Sequence, residues 1–528
     1  MAAVSMPALE PVLGDALRLY RRGRFDDAAA KYGAILKQYP NFAEAYAGVA
    51  RCYLKQEKIQ EAYESAAKAV KTAPDSQAAH VALGEVYFRQ GKMHDAEDEF
   101  LKVVNSVAPE ARAYLGLARV SSAISMHARA RQMLEKAYAL DPGDPEILWR
   151  WLNTLEPAER VKALTAYLAA ASIDDAGLLS GYKAYLESLK RQEKLPPREC
   201  KLVAGPASME TYLWPMSVRP PYLSGYGLDV KVNGRGSRLL LDTGISGILL
   251  SPRAAERAGI LPRAQTKIVG IGDKDDMDLY IGYADSIKVG PLEFRNCPVA
   301  VAAKEKTGHD GLVGTDLFAH YLITLDFPGR LFKLSELPPR PNDPPAAGQA
   351  VSGVASSMRA EAGNHDPVQD AQDQDAQSQD GQDKDRYVAP GMEDYTTVFR
   401  FDHMLLVPTT LNGFPPKLFL MDTGSDHNYI SLQAAREVTK VHEDFDTHVR
   451  GLNGRVKKIF RADKVTLSFG RYKHEDQDVV VFDHSSLSRE AGTEISGTLG
   501  FALLQMLKIK IDYRDGLVDF DYNSTRVH

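Results

Sequence analysis

The stretch Leu239-Leu240-Leu241-Asp242-Thr243-Gly244 is followed, 180 residues later, by Leu418-Phe419-Leu420-Met421-Asp422-Thr423-Gly424. In each copy the apolar run predicts a buried strand, and the Asp-Thr-Gly predicts a tight turn at its tip. Each aspartate should therefore lie where a strand enters a turn. Two carboxyl groups held in this way can face each other across a two-fold axis and share one proton.

The residues around the two motifs also repeat in the same order. Before each motif, a strand, an Asn-Gly turn and a second strand predict a hairpin, with turns at Asn233-Gly234 and Asn412-Gly413. After each motif, a strand ends at a serine and a short helix begins, so Ser251 and Ser431 are expected to be N-caps. A small all-β lobe is thus predicted twice.

Two further glycine-containing elements complete each predicted lobe. The first is a hairpin, called the flap below, that could fold over a bound peptide; its glycines are Gly270 and Gly272 in the first copy and Gly451 and Gly454 in the second. The second is an apolar strand that ends in glycine and begins a helix. These strands are Gly311-Leu-Val-Gly314 and Gly497-Thr-Leu-Gly500, with helices predicted over 315–321 and 501–507.

In these motifs the chain resembles the retropepsin group of aspartic peptidases, and more narrowly the bacterial Gag-type aspartyl peptidases. The resemblance covers about residues 200–336 and 391–524. It implies an all-β acid-protease fold with two retropepsin-like lobes and one active site. It also implies hydrolysis of peptide bonds by a water molecule activated between two aspartates, with no metal and no cofactor.

The resemblance assigns roles to individual residues. It makes Asp242 and Asp422 the catalytic pair and has Thr243 and Thr423 hydrogen-bond across the interface between the lobes. The remaining residues are expected to approach the substrate: Gly244 and Gly424 at the catalytic loops, Gly270, Gly272, Gly451 and Gly454 on the flaps, and Asp426 beside the site.

The two lobes depart from the retroviral pattern in different ways. Thr315 and Phe501 stand where that pattern has an arginine after the apolar-apolar-glycine. The aspartate expected four residues after the catalytic one is present as Asp426 but is replaced by Ser246 in the first lobe. We therefore expect the two substrate subsites to differ and the catalytic proton to be shared unevenly.

A period of 34 residues runs through the N-terminal third of the chain. It relates small residues (Ala28, Ala62, Ala96 and Ala130) and turn positions (Gly23, Glu57, Gly91 and Ser125). These residues resemble the tetratricopeptide repeat (TPR), which has this period and consists of paired helices. The resemblance covers about residues 9–145, with further helix to about 190, and implies an α-helical solenoid that docks a protein substrate or partner. A helical spacer without a ligand is the alternative.

Four regions are therefore predicted along the chain. They are a TPR helical domain (9–192), peptidase lobe 1 (200–336), a linker (337–390) and peptidase lobe 2 (391–524). The linker begins Pro338-Pro-Arg-Pro and contains a Gln/Asp tract with almost no apolar residues, which is typical of disorder.

Composition limits the other possibilities. A net charge of −6 argues against a basic surface that binds nucleic acid. No apolar run reaches the roughly 18 residues that span a bilayer. The segment that begins at Met1 has no basic or apolar signal region, so a soluble, cytoplasmic protein is the default expectation, with export left open. Cys52, Cys200 and Cys297 are widely spaced and are expected to be buried reduced thiols.

Two alternatives to a one-site enzyme remain at this point. The chain could be a non-catalytic TPR scaffold whose inactive peptidase-like lobes bind peptides. It could also be an enzyme whose lobes pair between chains. Because both Asp-Thr-Gly motifs are intact, and a scaffold needs neither aspartate, the sequence favours the enzyme.

Overall fold

A computed structural model of the chain describes residues 10–170, 173, 176–193, 200–217, 223–268, 271, 277–304, 309–341, 385–451 and 454–522. Up to residue 193 the described segments are helical. The helices are α1 (Glu10–Arg21), α2 (Phe25–Gln38), α3 (Ala43–Lys55), α4 (Ile59–Thr72), α5 (Gln77–Arg89), α6 (Met93–Val104), α7 (Ala111–Ala123), α8 (His127–Leu140), α9 (Pro145–Thr154), α10 (Pro157–Ala170) and α11 (Ala176–Glu193).

The predicted helical repeat is confirmed by its turns and its small residues. The four turn positions all have positive φ: Gly23 at 81°, Glu57 at 59°, Gly91 at 75° and Ser125 at 59°. Ala28, Ala62 and Ala96 have no exposed surface. A side chain no larger than a methyl group at these positions lets the paired helices pack closely.

The first helices of successive pairs are joined by a network of ion pairs. The Arg112 guanidinium of α7 lies 2.7 Å from Glu85 of α5 and 2.9 Å from Glu146 of α9. Lys55 of α3 also reaches Glu146, at 3.5 Å. Side chains from helices that are far apart in sequence therefore meet in one cluster of charges. Burial alone would raise the pKa of Glu146, but the surrounding cations, with Lys55 first, hold it well below its usual range.

The remaining described residues form sheets and a few short helices. The elements of lobe 1 are β1 (Lys201–Ala204), β2 (Ser208–Tyr212), β3 (Trp214–Met216), β4 (Gly225–Val232), β5 (Arg235–Asp242), β6 (Ile248–Leu250), α12 (Pro252–Arg257), β7 (Ala264–Ile268), β8 (Met277–Val289), β9 (Leu292–Ala302), β10 (Gly311–Gly314), a 3₁₀ helix (Thr315–Phe318), β11 (Tyr321–Asp326) and β12 (Leu331–Glu336).

Lobe 2 repeats this order with some additions. Its elements are β13 (Thr396–Thr397), β14 (Phe399–Phe401), β15 (Met404–Leu411), β16 (Lys417–Asp422), β17 (Tyr429–Ser431), α13 (Leu432–Val438), β18 (Val441–Asp444), β19 (Arg450–Gly451), β20 (Gly454–Arg455), β21 (Ile459–Ala462), β22 (Val465–Phe469), β23 (Tyr472–Asp476), β24 (Val479–Phe482), α14 (Ser485–Ala491), β25 (Gly497–Gly500), α15 (Phe501–Leu504), β26 (Lys508–Asp512) and β27 (Leu517–Asp521).

Each lobe has its own sheet, and a third sheet joins the two lobes. The lobe sheets run β1-β9-β6-β10-β5-β4-β8-β7 and β18-β21-β24-β17-β25-β16-β15-β22-β23. The joining sheet runs β13-β27-β26-β11-β12-β2, and its central pair is antiparallel, with Ile323 of lobe 1 opposite Ile511 of lobe 2. Both lobes also contribute to one buried hydrophobic core. The two halves thus pair within one chain here, and the α-helical and all-β fold classes are as expected.

Local signals in the sequence are confirmed in both lobes. Asn233 and Asn412 have φ of 48° and 51°, and each is followed by a glycine with positive φ, as a tight hairpin turn requires. The hydroxyls of Ser251 and Ser431 accept hydrogen bonds, both of 3.2 Å, from the backbone three residues on. The helices predicted over 315–321 and 501–507 are shorter than expected, because the chain turns early into β11 and β26.

The cysteine prediction is wrong. Cys200 and Cys297 form a disulfide, and both are buried. Strand β1 pairs antiparallel with β9, with Lys201 opposite Arg295, so two cysteines 97 residues apart become neighbours. Only the third thiol fits the expectation: Cys52 is free and buried, and burial raises its pKa to about 12.

The two ends of the predicted linker meet at one buried aspartate. Residues 342–384, most of that linker, lie outside the described residues. On the near side, Arg340 forms an ion pair with Asp515, in the turn between β26 and β27. On the far side, the Tyr387 N–H donates to the Asp515 carboxylate at 2.9 Å and Arg386 donates to its carbonyl at 3.0 Å. The chain therefore leaves lobe 1 and enters lobe 2 at the same place.

Across the described segments, no helix combines the length and apolar character needed to cross a membrane.

Candidate active site

Two aspartates, one from each lobe, meet at the centre of the joined lobes. Asp242 ends β5 and lies opposite Gly314 of the parallel strand β10; Asp422 ends β16 and lies opposite Gly500 of β25. The two carboxyl groups share a hydrogen bond. Each also accepts a bond from the backbone N–H two residues on, at 2.7 Å in lobe 1 and 2.9 Å in lobe 2.

Burial raises the pKa of both carboxyl groups. The pKa of Asp242 stands well above its usual range because the group is desolvated and faces the Asp422 charge. Desolvation also raises the pKa of Asp422, while hydrogen bonds from Asp242 and from backbone N–H groups counteract that rise. Asp242 is only 6% exposed, whereas Asp422 is partly exposed. A pair of this kind retains a proton at pH values where an isolated aspartate has lost it.

The threonines of the two motifs hydrogen-bond across the lobe interface. The Thr243 hydroxyl donates to the Met421 carbonyl at 2.6 Å and accepts from the Thr423 N–H at 3.0 Å. The Thr423 hydroxyl donates to the Leu241 carbonyl at 3.0 Å and accepts from the Thr243 N–H at 3.1 Å. Both side chains are almost fully buried. Because each hydroxyl fixes the other lobe's loop, the two aspartates cannot separate without breaking four buried hydrogen bonds.

The glycines of the motifs leave room for the opposite carboxyl group. A Cβ atom at Gly244 would lie 2.8 Å from Cγ of Asp422, and one at Gly424 would overlap the carboxyl group of Asp242. Both distances are shorter than a carbon–carbon contact allows. These positions therefore need glycine for the space that the pair of aspartates occupies.

The loop after Asp242 is anchored by a carboxylate side chain. Asp316, in the 3₁₀ helix of lobe 1, accepts hydrogen bonds from the Ser246 hydroxyl at 2.5 Å and from the Gly247 N–H at 2.9 Å. The Gly314 N–H donates to the Gly247 carbonyl at 2.7 Å. Asp316 thus supplies the carboxylate that the sequence of lobe 1 lacks at Ser246.

The loop after Asp422 is anchored mainly by backbone groups of its own lobe. The N–H of Phe501 donates to the Ser425 carbonyl at 2.7 Å, and that of Ala502 to the Asp426 carbonyl at 3.1 Å. The Gly500 N–H donates to the Asn428 side chain at 2.9 Å. The carboxylate of Asp426 itself is exposed.

A histidine and a tyrosine of lobe 2 reach into the lobe 1 side of the site. His403, in the turn between β14 and β15, places Nε2 3.2 Å from the Gly244 carbonyl oxygen. The Tyr513 hydroxyl lies 2.6 Å from the Thr315 hydroxyl. Burial raises the pKa of Tyr513, and the negative charge of Asp316 adds to the effect. His403 therefore contacts the loop that carries Asp242, and Tyr513 contacts the 3₁₀ helix that contains Asp316.

The two flaps touch each other at one described contact. Ile271 of lobe 1 packs against an apolar cluster of lobe 2 formed by Tyr429, Val449, Val456, Ile459, Val480 and Phe482. The backbone of Gly451 lies against Ile271 so closely that a Cβ at position 451 would come within 2.6 Å of the Ile271 Cβ. Gly454, at the other side of its hairpin, has a positive φ of 100°. The predicted flap residues Gly270 and Gly272 lie outside the described residues.

The structure brings together most of the predicted site residues and adds three. Asp242, Asp422 and their threonines and glycines converge, whereas Asp426 is exposed. Sequence reasoning missed Asp316, His403 and Tyr513. Asp316 directly follows Thr315, where the retroviral arginine is absent, and this departure was a usable signal; no local signal marks the other two residues. Within the described residues, no group of histidine, cysteine, aspartate or glutamate side chains is arranged to hold a metal ion.

Family models match the same segments. A model described as aspartyl protease matches residues 228–317 and 407–503. Two models described as tetratricopeptide repeat match residues 13–76 and 54–120.

Individual similar proteins cover smaller parts of the chain. DNA damage-inducible protein 1 of Chaetomium globosum is 32% identical over 101 residues, which are 19% of this chain and 22% of that protein. This chain thus matches about a fifth of that relative's length. A retropepsin-like aspartic protease from Rickettsia conorii, of known structure, is 17% identical over 25% of this chain and 93% of its own, with a TM-score of 0.20. A thermophilic TPR protein of Thermus thermophilus is 21% identical over 34% of this chain and 98% of its own, with a TM-score of 0.28.

Proposed function

Because its two lobes belong to the aspartyl protease family and its N-terminal helices to the tetratricopeptide repeats, we propose that the chain is an aspartic endopeptidase whose repeats dock a protein substrate or partner. One observation carries the proposal. Asp242 and Asp422 come from different lobes, share a hydrogen bond, and both have pKa values raised by burial. Perturbed, coupled carboxyl groups of this kind are suited to general acid–base catalysis.

The proposed reaction needs only these two groups and a water molecule. The ionised aspartate takes a proton from water, which attacks the scissile carbonyl carbon. The protonated aspartate donates a hydrogen bond, and then its proton, to the carbonyl oxygen. As the resulting gem-diol collapses and the C–N bond breaks, the aspartate that is now protonated gives its proton to the amine nitrogen. One gem-diol hydroxyl gives its proton to the other aspartate. The pair finishes with one proton, as it began, and no covalent intermediate forms.

The pH dependence follows from this proton count. The rate should fall at high pH as the shared proton is lost and at low pH as a second proton binds, with apparent pKa values that belong to the pair. Since burial raises the pKa of both groups, we expect the maximum at mildly acid pH. A rate that stays level from about pH 4 to pH 9 would contradict the shared proton.

Single substitutions test the site directly. Asp242→Asn and Asp422→Asn should each lower kcat on a peptide library by more than about a thousandfold at mildly acid pH, because either removes a reacting group. Asp285→Asn, at an exposed position of β8, is the matched control and should cleave like the wild type. Absence of cleavage by the wild type over a broad library would support the non-catalytic scaffold instead.

The same variants separate pairing within a chain from pairing between chains. If the two lobes of one chain form the site, each single variant is inactive. If like lobes pair between chains, each variant retains about half the activity, because the unaltered lobe still forms a complete pair.

Docking by the repeats is the second part of the proposal. It is supported by the cations Arg51 and Lys55, which lie on α3 and belong to the network of ion pairs that joins successive repeats. Changing both residues to glutamine should raise KM about threefold or more for any protein substrate that the cleavage assay identifies, and leave KM unchanged for a short peptide that spans its cleavage site. The exposed residues Lys37 and Lys71, changed in the same way, are the control. Equal KM changes for the protein substrate and for the peptide would contradict docking through Arg51 and Lys55.

A further inference from the structure

We propose that His403, a residue of lobe 2, positions the catalytic loop of lobe 1 by donating a hydrogen bond from Nε2 to the carbonyl oxygen of Gly244. The inference rests on the proposed function and assigns a positioning role within that site. Among the described residues the His403 ring makes no hydrogen bond to either aspartate, so we expect its effect on the reaction to pass through Gly244.

The contact is specific to one nitrogen of the ring. Nε2 lies 3.2 Å from the Gly244 oxygen, whereas Nδ1 is enclosed and has no hydrogen-bond partner among the described residues. A carbonyl oxygen can only accept a hydrogen bond, so Nε2 must carry the proton. An enclosed nitrogen without a partner costs free energy, and the hydrogen bond at Nε2 offsets part of that cost.

Gly244 links His403 to the reacting carboxyl group. Its carbonyl accepts the bond from His403, and its N–H donates to Oδ1 of Asp242 at 2.7 Å. Fixing one side of this residue limits the rotation of the other. Loss of the His403 bond should therefore loosen the N–H that orients Asp242, and small displacements of catalytic groups lower rates strongly.

Burial, more than the neighbouring charges, favours the neutral ring of His403. Burial lowers the pKa of His403, and although the carboxylate of Asp316 counteracts this, the guanidinium of Arg400 reinforces it. A neutral ring with hydrogen on Nε2 presents one donor, which matches the single acceptor in front of it.

The other lobe has a different residue at the equivalent position. Strand pairing aligns the two lobes. Leu406 of β15 lies opposite Leu420, two residues before Asp422, and Gly227 of β4 lies opposite Leu240, two residues before Asp242. His403 therefore corresponds to Ser224, three residues before Gly227. A serine cannot extend as far as an imidazole, so the support that His403 gives to lobe 1 is not repeated in the same form for lobe 2.

Two amide substitutions separate the hydrogen bond from general packing. The amide nitrogen of glutamine lies at the reach of Nε2, and that of asparagine at the reach of Nδ1. We expect His403→Asn to lower kcat roughly tenfold or more, with KM within about twofold, and His403→Gln to stay within about threefold of the wild type. His442→Asn, at an exposed histidine of lobe 2, is the control.

Hydrogen exchange supplies a readout that does not need activity. The Gly244 N–H should exchange faster in His403→Asn than in the wild type or in His403→Gln. Equal exchange and equal kcat in the two variants would overturn the positioning role even though the wild type cleaves peptides. A wild type that cleaves nothing would refute the proposed peptidase, while the exchange rates would still decide whether His403 holds Gly244.

Discussion

The loop after Asp242 and the loop after Asp422 carry the same motif, but different groups hold them. In lobe 2, backbone N–H groups of Phe501 and Ala502 fix the loop from within the lobe. In lobe 1, the Asp316 side chain fixes one end of the loop, and His403 reaches its centre from the other lobe. Halves of one chain can diverge in this way, whereas identical subunits change together.

The position of the carboxylate residue near the loop also differs between the lobes. Lobe 2 keeps it four residues after the catalytic aspartate, at Asp426, and has Ala502 in its short helix. Lobe 1 has Ser246 in the loop and Asp316 in the helix. In lobe 1 the carboxylate anchors the loop, whereas in lobe 2 it is exposed beside the site. The sequence predicts that the two substrate subsites differ. We attribute this difference to the different groups that support the two loops.

The first and largest prediction concerns the part that the two lobes share. Thr243→Val and Thr423→Val each remove a buried hydroxyl and leave a backbone N–H and a carbonyl of the other lobe without that partner. Each change should lower the free energy of unfolding by about 2–4 kcal/mol, since each orphaned buried group costs about 1–3 kcal/mol. Denaturant unfolding measures this. A marked difference between the two variants would show that the interface is less symmetric than its four hydrogen bonds indicate.

The second prediction concerns the part in which the lobes differ. Asp316→Ala removes the acceptor for Ser246 and Gly247 and should cost about 1.5–3 kcal/mol, the range for hydrogen bonds to a charged group. Asp426→Ala, at an exposed position, should cost less than Asp316→Ala, because interactions of a solvent-exposed carboxylate stabilise the fold only weakly. Denaturant unfolding of the two variants side by side tests the comparison. Equal costs would mean that Asp316 is not the anchor of its loop.

Much of the site could be predicted because its signals are local. Asp242 and Asp422 each follow an apolar strand, and the hairpin turns and serine caps depend on residues within a few positions of one another. The duplication added a second, independent copy of every signal. The repeat of 34 residues was equally readable, since the same backbone turn recurs at Gly23, Glu57, Gly91 and Ser125.

The features that escaped prediction depend on contacts between distant segments. The disulfide of Cys200 and Cys297 requires the register of β1 against β9, which spacing alone does not reveal. His403 lies 159 residues from Gly244 in sequence, and only the pairing of the lobes brings it to that carbonyl. The meeting of Arg340 and Tyr387 at Asp515 likewise follows from the sheet that both lobes build.

The third prediction extends the comparison to the flaps. Gly451→Ala would place a methyl group against Ile271 of the other flap and should force the two apart. We expect KM for peptides to rise about threefold or more, because closing elements hold bound substrate. Gly236→Ala, where a Cβ meets nothing within 4 Å, is the control. An unchanged KM would mean that the contact at Ile271 plays no part in binding.

The last prediction uses the unequal burial of the two aspartates. Burial raises the folded-state pKa of Asp242 and Asp422 above the value of about 3.9 in unfolded chains. For each group, the folded state binds its proton more tightly. This tighter proton binding stabilises the folded state. The stabilisation is fully present below the pKa of the unfolded chain and is lost as pH rises through the pKa of the folded protein. Asparagine does not ionise and avoids this loss.

Asp242→Asn should therefore melt about 2–4 °C above the wild type at pH 7, with a smaller difference at pH 4, where the wild-type carboxyl group is largely protonated. Asp422→Asn should show the same trend with a smaller gain, because the pKa of Asp422 is raised less and its side chain is partly exposed. Thermal unfolding at the two pH values measures both. A larger gain at pH 4 than at pH 7 would contradict the raised pKa values. A larger gain for Asp422→Asn than for Asp242→Asn would reverse the order of burial, and the uneven sharing of the proton would then favour the opposite lobe.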